Sequence, residues 1–208
     1  MLDVNTFSRI DAEVQAMVKG FNSNDALLRV LTEVVSDFDT NEELGYLMTD
    51  AIRVEAGADV ALQNPGGVRL KTFPKGTMTV RDVYRLDPFN NEAVVFHLTG
   101  EELLRLIEAM YISENKQPPF VSGITYEMEV DRQGQVKKIE VKMADGSRLN
   151  MHRKYKVVMN SYIAAVSQFE KADPGQSLYR TTAELTIQYL EKQPAVEYKG
   201  VKRMKIKN

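Results

Sequence analysis

An amide, two adjacent glycines and an arginine occupy one run, Asn64-Pro65-Gly66-Gly67-Val68-Arg69. About twenty residues later an aromatic stands among asparagines, in Pro88-Phe89-Asn90-Asn91. Two residues without Cβ atoms let the backbone approach a ligand closely. Arginine supplies a planar, permanently charged fork suited to an anionic or polyhydroxy partner. Phe89 sits in a setting where a buried core ring would be unusual. Asn64 and Asn91 can each donate and accept, toward a ligand or toward the backbone of their own turns. These types suggest recognition rather than bond-making: one cation, one stacking ring and amides. The strand-like run Asp59-Val60-Ala61-Leu62-Gln63 precedes the first loop and puts the site at a strand end.

Catalytic readings fare worse. The chain has no cysteine, which removes disulfides, thiolate metal sites and cysteine nucleophiles together. It has neither a Gly-x-Ser-x-Gly elbow nor a phosphate loop ending in Gly-Lys-Ser/Thr. Its two histidines, His97 in Val94-Val95-Phe96-His97-Leu98 and His152 near a turn, are far apart in sequence. No Asp-x-His and no Gly-Asn-His-Glu segment accompanies them. The carboxylate pairs Glu42/Glu43 and Glu101/Glu102 sit at helix starts, where they favour the helix dipole by ~0.3–1 kcal/mol. No catalytic residue and no metal ligand is assigned.

The elements that must hold the two loops can be read from periodicity. Ile10, Val14, Met17, Val18 and Phe21 share one helical stripe, and Ser23-Asn24-Asp25 then breaks and caps. Leu27, Leu28, Leu31, Val34, Val35 and Phe38 predict a second amphipathic helix over 27–38. A third runs from Glu42 to Glu55. Residues 1–40 are therefore expected to be a helical arm or connector, leading into a main domain over 41–208. Thr79-Val80-Arg81-Asp82, Thr99-Gly100-Glu101-Glu102 and Thr181-Thr182-Ala183-Glu184 have the form of capping boxes, each opening a helix. Glu92 to Leu98 and Tyr155 to Asn160 read as strands. Tyr126 to Val130 and Val136 to Met143 alternate around Asp131-Arg132-Gln133-Gly134, which predicts a hairpin. Short strands near Val196 and 202–207 close the chain, and the basic residues Lys199, Lys202, Arg203, Lys205 and Lys207 read as a solvated strand face. The expected class is α+β, layered mixed sheets with flanking helices.

Composition fits this. The 208 residues suffice for one domain, or one domain and an arm, and for a substantial core. A net charge of −2 argues against bulk nucleic-acid binding, which needs a basic face. No apolar run approaches the ~18–20 residues that span a bilayer. The opening Met1-Leu2-Asp3-Val4-Asn5 has no basic or apolar leader region, which suits either a cytoplasmic protein or a trimmed precursor.

The motifs in order resemble the C-terminal domain of the 5′-nucleotidase/UDP-sugar hydrolase family. The resemblance starts at Leu44-Gly45-Tyr46-Leu47-Met48-Thr49-Asp50-Ala51 and runs through Ala58 to Arg69, Gly76-Thr77-Met78-Thr79, Asp87 to Asn91 and Leu98 to Glu102. It ends with Gly123-Ile124 and Tyr155 to Tyr162, covering roughly residues 43–195. By this resemblance the domain binds the nucleoside part of a nucleotide. Asn64, Gly66, Gly67 and Arg69 would line the pocket, Phe89 would be one of two rings sandwiching the base, and Asn91 would bond to the base. Stacking a base on an aromatic face contributes ~1–3 kcal/mol and tolerates different bases.

Two departures stand out. The family's Gly-Gly-Asp-Gly-aromatic segment after the Asn160 strand is replaced by Ala164-Ala165-Val166-Ser167-Gln168-Phe169-Glu170. Phe169 becomes the candidate second ring if that loop is shortened, with Tyr162 as the alternative. The arginines that precede the Leu44-Gly45 motif in the family have no counterpart in Val34 to Phe38. The resemblance further implies that hydrolysis belongs to a separate metallophosphatase domain with two divalent metals, in cis or in trans. No cofactor is then expected in this chain. Its expected partners are a nucleoside or nucleotide and that catalytic domain, with no nucleic acid and no membrane span. Export to a periplasm or cell surface is implied by the family alone. The rival reading is a non-catalytic module that uses the same surface for a protein or another small molecule.

Overall fold

The computed structural model describes residues 11–22 and 24–207. The chain runs α1 (Ala12–Asn22), α2 (Asp25–Leu28), β1 (Val30–Val34), α3 (Asn41–Glu55), β2 (Val60–Gln63), a 3₁₀ turn at Pro65–Gly67, and β3 (Gly76–Thr79). It continues α4 (Val80–Leu86), β4 (Glu92–Thr99), α5 (Gly100–Ser113), β5 (Phe120–Ser122), β6 (Ile124–Val130), β7 (Val136–Met143) and β8 (Lys154–Asn160). It ends with α6 (Ser161–Val166), β9 (Gln176–Thr181), α7 (Thr182–Leu190), β10 (Ala195–Val196) and β11 (Met204–Lys207). Helices and three mixed sheets make it α+β, as expected.

A five-stranded sheet, ordered β5-β2-β8-β4-β9, holds the centre. Strands β2 and β8 are parallel, and the other pairings are antiparallel. Alternation along each strand explains why both faces are covered. Val60, Leu62, Phe96, Leu98, Val157 and Met159 point to one face, where they pack with Leu103, Leu106, Ile107 and Met110 of α5. Ala61, Ala93, Val95 and Val158 point to the other, against Ile52 of α3 and Leu185 of α7. A second sheet, β11-β6-β7, contributes Tyr126, Met128 and Val141 to the α5 side. The third, β10-β1-β3, encloses a further core with Tyr46, Leu47, Val83, Leu86 and Leu190.

Helices start where the caps are. Thr99 Oγ1 accepts from the Glu102 N–H at 3.2 Å, and Glu102 Oε2 accepts from the Thr99 N–H at 2.7 Å. Thr40 with Glu43 opens α3 and Thr181 with Glu184 opens α7 in the same reciprocal way. At α4 the Thr79 N–H and hydroxyl both donate to Asp82.

Three expectations need correction. The helix over 27–38 does not form: Asp25–Leu28 makes one turn, and Val30–Val34 is a strand between β3 and β10. The helical arm expected over 1–40 is thus helical, among the described residues, only in Ala12–Asn22 and Asp25–Leu28. Leu31, Val34 and Phe38 lie in the same buried cluster as Leu44, Tyr46 and Leu47 of α3. The apolar stripe of α1, which would suit a connector or core helix, is exposed at Val14, Met17 and Val18 and so is not core. Ile10, Ser23, the Met1 to Asn5 segment and the Phe21 side chain lie outside the described residues. Lastly, Arg203 is not on a solvated face. It grips Asp50 with two nitrogens at 2.6 and 2.7 Å, and its guanidinium lies 5.0 Å from the centroid of the Tyr46 ring.

Candidate functional site

One end of the five-stranded sheet collects the loops. Registers Val60↔Val157 and Ala61↔Val158 bring Gln63 beside Asn160 at the carboxyl ends of β2 and β8. Register Ala93↔Asn160 brings the start of the antiparallel β4 to the same end. Asn64, Ser161 and Asn91 each lie one or two residues beyond these positions. Strand β4 leads away from this end, and α5 leads back, delivering Glu114. In open α/β sheets ligands bind in a crevice outside the carboxyl ends of parallel strands, and this end of the parallel β2–β8 pair has the same placement.

There the structure has a cavity of about 380 Å³ lined by Asn64, Gly66, Gly67, Arg69, Phe89, Asn91, Glu114 and Tyr162. Six of the seven residues singled out in the sequence therefore converge. Phe169, the seventh, does not: it packs against the α5-side core, with Lys171 Nζ 4.6 Å from its ring centroid. The ring that lines the cavity together with Phe89 is Tyr162. Both rings are exposed, at 45% and 47% of their surface, so neither is consumed by core packing. Asn160 places Tyr162. Its Oδ1 caps α6 by accepting from the Ile163 N–H at 2.8 Å, which puts Tyr162 in the first turn, next to the cavity. Glu114 was not legible as a site residue. Its signal was indirect: a helix opened by the Thr99 box, packed on the sheet face, must end near where β4 began.

The loops are tied to each other and to the scaffold. The Arg69 N–H donates to Leu86 O at 2.9 Å, linking the Gly-Gly loop to the end of α4. Asp87 accepts from the Thr182 hydroxyl at the start of α7. The Thr182 N–H donates to Asn91 O at 2.9 Å. Phe89 is thus held between two anchored neighbours, with Asn90 in the left-handed region at φ 55°. Burial pushes the Asp87 carboxyl above its ordinary value, with the bonds from Thr182 and the Phe89 N–H only partly opposing it. Arg69 Cζ lies 5.6 Å from the Phe89 ring centroid, within cation–π range. Among the described residues no carboxylate pairs with Arg69.

Behind the cavity lies a buried amide network. Asn160 Nδ2 donates to Gln63 Oε1 at 3.0 Å and to Asn64 Oδ1 at 3.1 Å. Asn64 Nδ2 donates to Glu114 Oε2 at 3.1 Å. Gly67 must be glycine because of this network: a Cβ there would stand 2.2 Å from Gln63 Nε2 and 2.7 Å from Asn64 Oδ1. Among the described residues no cluster of three or more His, Asp or Glu side chains is placed to hold a metal. His97 faces outward, its Nδ1 3.3 Å from Asp173 Oδ2.

The family model described as 5′-nucleotidase, C-terminal domain, matches residues 26–172. A probable 5′-nucleotidase of Treponema pallidum (strain Nichols) is 32% identical over 150 residues, which are 67% of this chain and 24% of that protein. The cell wall protein Lmo0130 of Listeria monocytogenes is 29% identical over 205 residues, 90% of this chain and 26% of that protein. Among solved structures, a 5′-nucleotidase precursor from Thermus thermophilus matches with a TM-score of 0.78 at 30% identity, covering 94% of this chain and 43% of that one. The chain spans about a quarter of the length of these two curated relatives.

Proposed function

The chain belongs to the family of 5′-nucleotidase C-terminal domains, and from that premise we propose that its sheet-end cavity binds the nucleoside moiety of a nucleotide. The observation that carries this reading is the pairing of two exposed rings, Phe89 and Tyr162, on one cavity with a cation that no carboxylate pairs with among the described residues. A volume of about 380 Å³ suits a small ligand. A base inserted between the rings gains stacking of ~1–3 kcal/mol per aromatic contact. Arg69 then meets the sugar hydroxyls or a phosphate with its planar donor fork. Asn91 offers an amide to the base.

Hydrolysis is assigned to a metallophosphatase domain carrying two divalent metals, joined to this one in cis or supplied in trans. The residues described in this chain bind and orient. Metal-assisted attack needs several convergent ligands. Export fits the cell wall protein among the relatives. The rival, a non-catalytic module, draws on the missing arginines between Val34 and Phe38, and predicts that the cavity ignores nucleotides.

Calorimetric titration with a panel of nucleoside 5′-monophosphates tests the proposal. Saturable binding is expected, weakened at least tenfold by Phe89→Ala, a loss of about 1.4 kcal/mol, and also weakened by Arg69→Ala. The absence of heat from a folded sample at millimolar ligand would contradict it and favour the rival.

A further inference from the structure

The amide network behind the cavity has a direction. Its first donor is a backbone N–H, that of Ile163, so Asn160 must present Oδ1 to it and turn Nδ2 the other way. That Nδ2 donates to Asn64 Oδ1, so Asn64 must in turn direct its own Nδ2 to Glu114. The relay ends on a carboxylate, which accepts only. Asn64 has thereby turned its amide nitrogen inward, with one of its two N–H groups held by Glu114. Ser161 Oγ donates to Asn91 Oδ1 at 3.4 Å, which leaves Asn91 Nδ2 as the available end of that amide. Gly66 leaves room for the carboxylate: a Cβ there would lie 3.2 Å from Glu114 Oε2. The cavity therefore offers an acceptor group at Glu114 and donors at Asn91 and Arg69.

We propose that Glu114 is the specificity-determining residue of this cavity and that the base it selects is guanine. The proposal rests on the nucleoside reading above. A carboxylate presents two coplanar acceptors with spare lone pairs even when one oxygen already holds Asn64. Guanine places two donors side by side, its ring N1–H and its exocyclic amine, which match a carboxylate in bidentate fashion. Its O6, next to them, accepts from Asn91 Nδ2 or Arg69. Adenine and cytosine place a ring-nitrogen acceptor beside their amine, and that lone pair would face the carboxylate. Uracil flanks its single N–H with two carbonyls. Rejection of these bases is thus electrostatic, by opposed acceptors, as well as a lack of bonds.

The test is calorimetry on the whole chain with the 5′-monophosphates of guanosine, inosine and adenosine. Inosine is guanosine without the exocyclic amine and isolates one of the two donors. The guanosine nucleotide is expected to bind about tenfold tighter than either other, the scale of a good bidentate base contact. Glu114→Gln keeps the shape and replaces one acceptor by a donor; it should reduce that preference to near unity while thermal melting stays unchanged. Glu114→Ala should also bring the preference to near unity, at some cost in melting temperature from the lost Asn64 partner, which guards against a misplaced glutamine. Equal affinity for the guanosine and inosine nucleotides, or a preference that survives both substitutions, overturns the assignment of Glu114 and leaves the nucleoside reading standing. Failure of all three nucleotides to bind overturns both.

Discussion

Gly66 and Gly67 are adjacent and have different jobs. A Cβ on Gly67 meets Gln63 Nε2 and Asn64 Oδ1, both buried and both held in the amide network. Neither atom can move without breaking a bond. Gly67→Ala should cost ~1–3 kcal/mol of stability, the range for inserting a methyl where nothing can yield, and should weaken nucleotide binding through Asn64. A Cβ on Gly66 meets the end of the Glu114 side chain at 3.2 Å and touches Asn64 Nδ2 at an ordinary 3.4 Å, in an exposed position. Gly66→Ala should leave the melting temperature within about a degree and alter ligand preference instead. Thermal melts and titrations of the two variants side by side check this; equal destabilisation by both would show that the glycines serve only the turn.

Arg203 latches β11 to α3. The pair it forms with Asp50 is mostly buried, with side-chain exposures of 20% and 17%. Ser122 and Tyr198 hydroxyls also donate to Asp50. Burial works to raise the Asp50 carboxyl, but Arg203 and the hydroxyls outweigh it and hold the group below its ordinary value. A depressed folded-state value means stability that is present above the unfolded value and lost as pH falls through the folded one. The latch should therefore fail in acid, below about pH 4, the ordinary aspartate range. Asp50→Asn should lower stability at neutral pH by about 3 kcal/mol, the lower end for stripping one partner from a buried pair. It should also flatten the acid limb. Urea midpoints at pH 7 and pH 3 report both effects; an acid limb as steep in the variant would place the titrating group elsewhere.

The latch also shows which elements the sequence disclosed. Threonine followed three residues on by Glu or Asp marked the starts of α4, α5 and α7 because the cap is a local interaction. The β6–β7 hairpin was equally legible from its alternation. Strand β1 was not: Leu27, Leu28, Leu31, Val34 and Val35 fit a helical period, and only pairing with β3 and β10 makes 30–34 extended. Tertiary hydrogen bonding overrode a local pattern there. Strands β5 and β9 escaped for other reasons. Phe120–Ser122 is too short to show a period, and Gln176–Thr181 is an edge strand with few apolar residues. At the site, loop residues on the sheet end were readable from type. Phe169 was misplaced because the pocket position of a ring depends on where α6 starts, and the Asn160 cap sets that at Ser161.

As a molecule, the chain is an α+β domain about a quarter the length of the two curated relatives. It buries both faces of its central sheet and keeps one sheet end open, so that the rings at the mouth stay solvent-facing in the free state. Mixed with a nucleoside monophosphate and millimolar Mn²⁺ or Mg²⁺, this chain should release no phosphate, because the residues described supply no convergent metal ligands. A phosphate-release assay decides it; release that a chelator abolishes would place catalysis in this chain. The sandwich between Phe89 and Tyr162 is the claim on which the rest depends. It is read most directly by NMR, following the ring protons of both residues while AMP and GMP are titrated in. Stacking of a base between them predicts upfield shifts of both rings and of the base protons, saturating together. Shifts confined to other residues, or none at all at millimolar nucleotide, would contradict it.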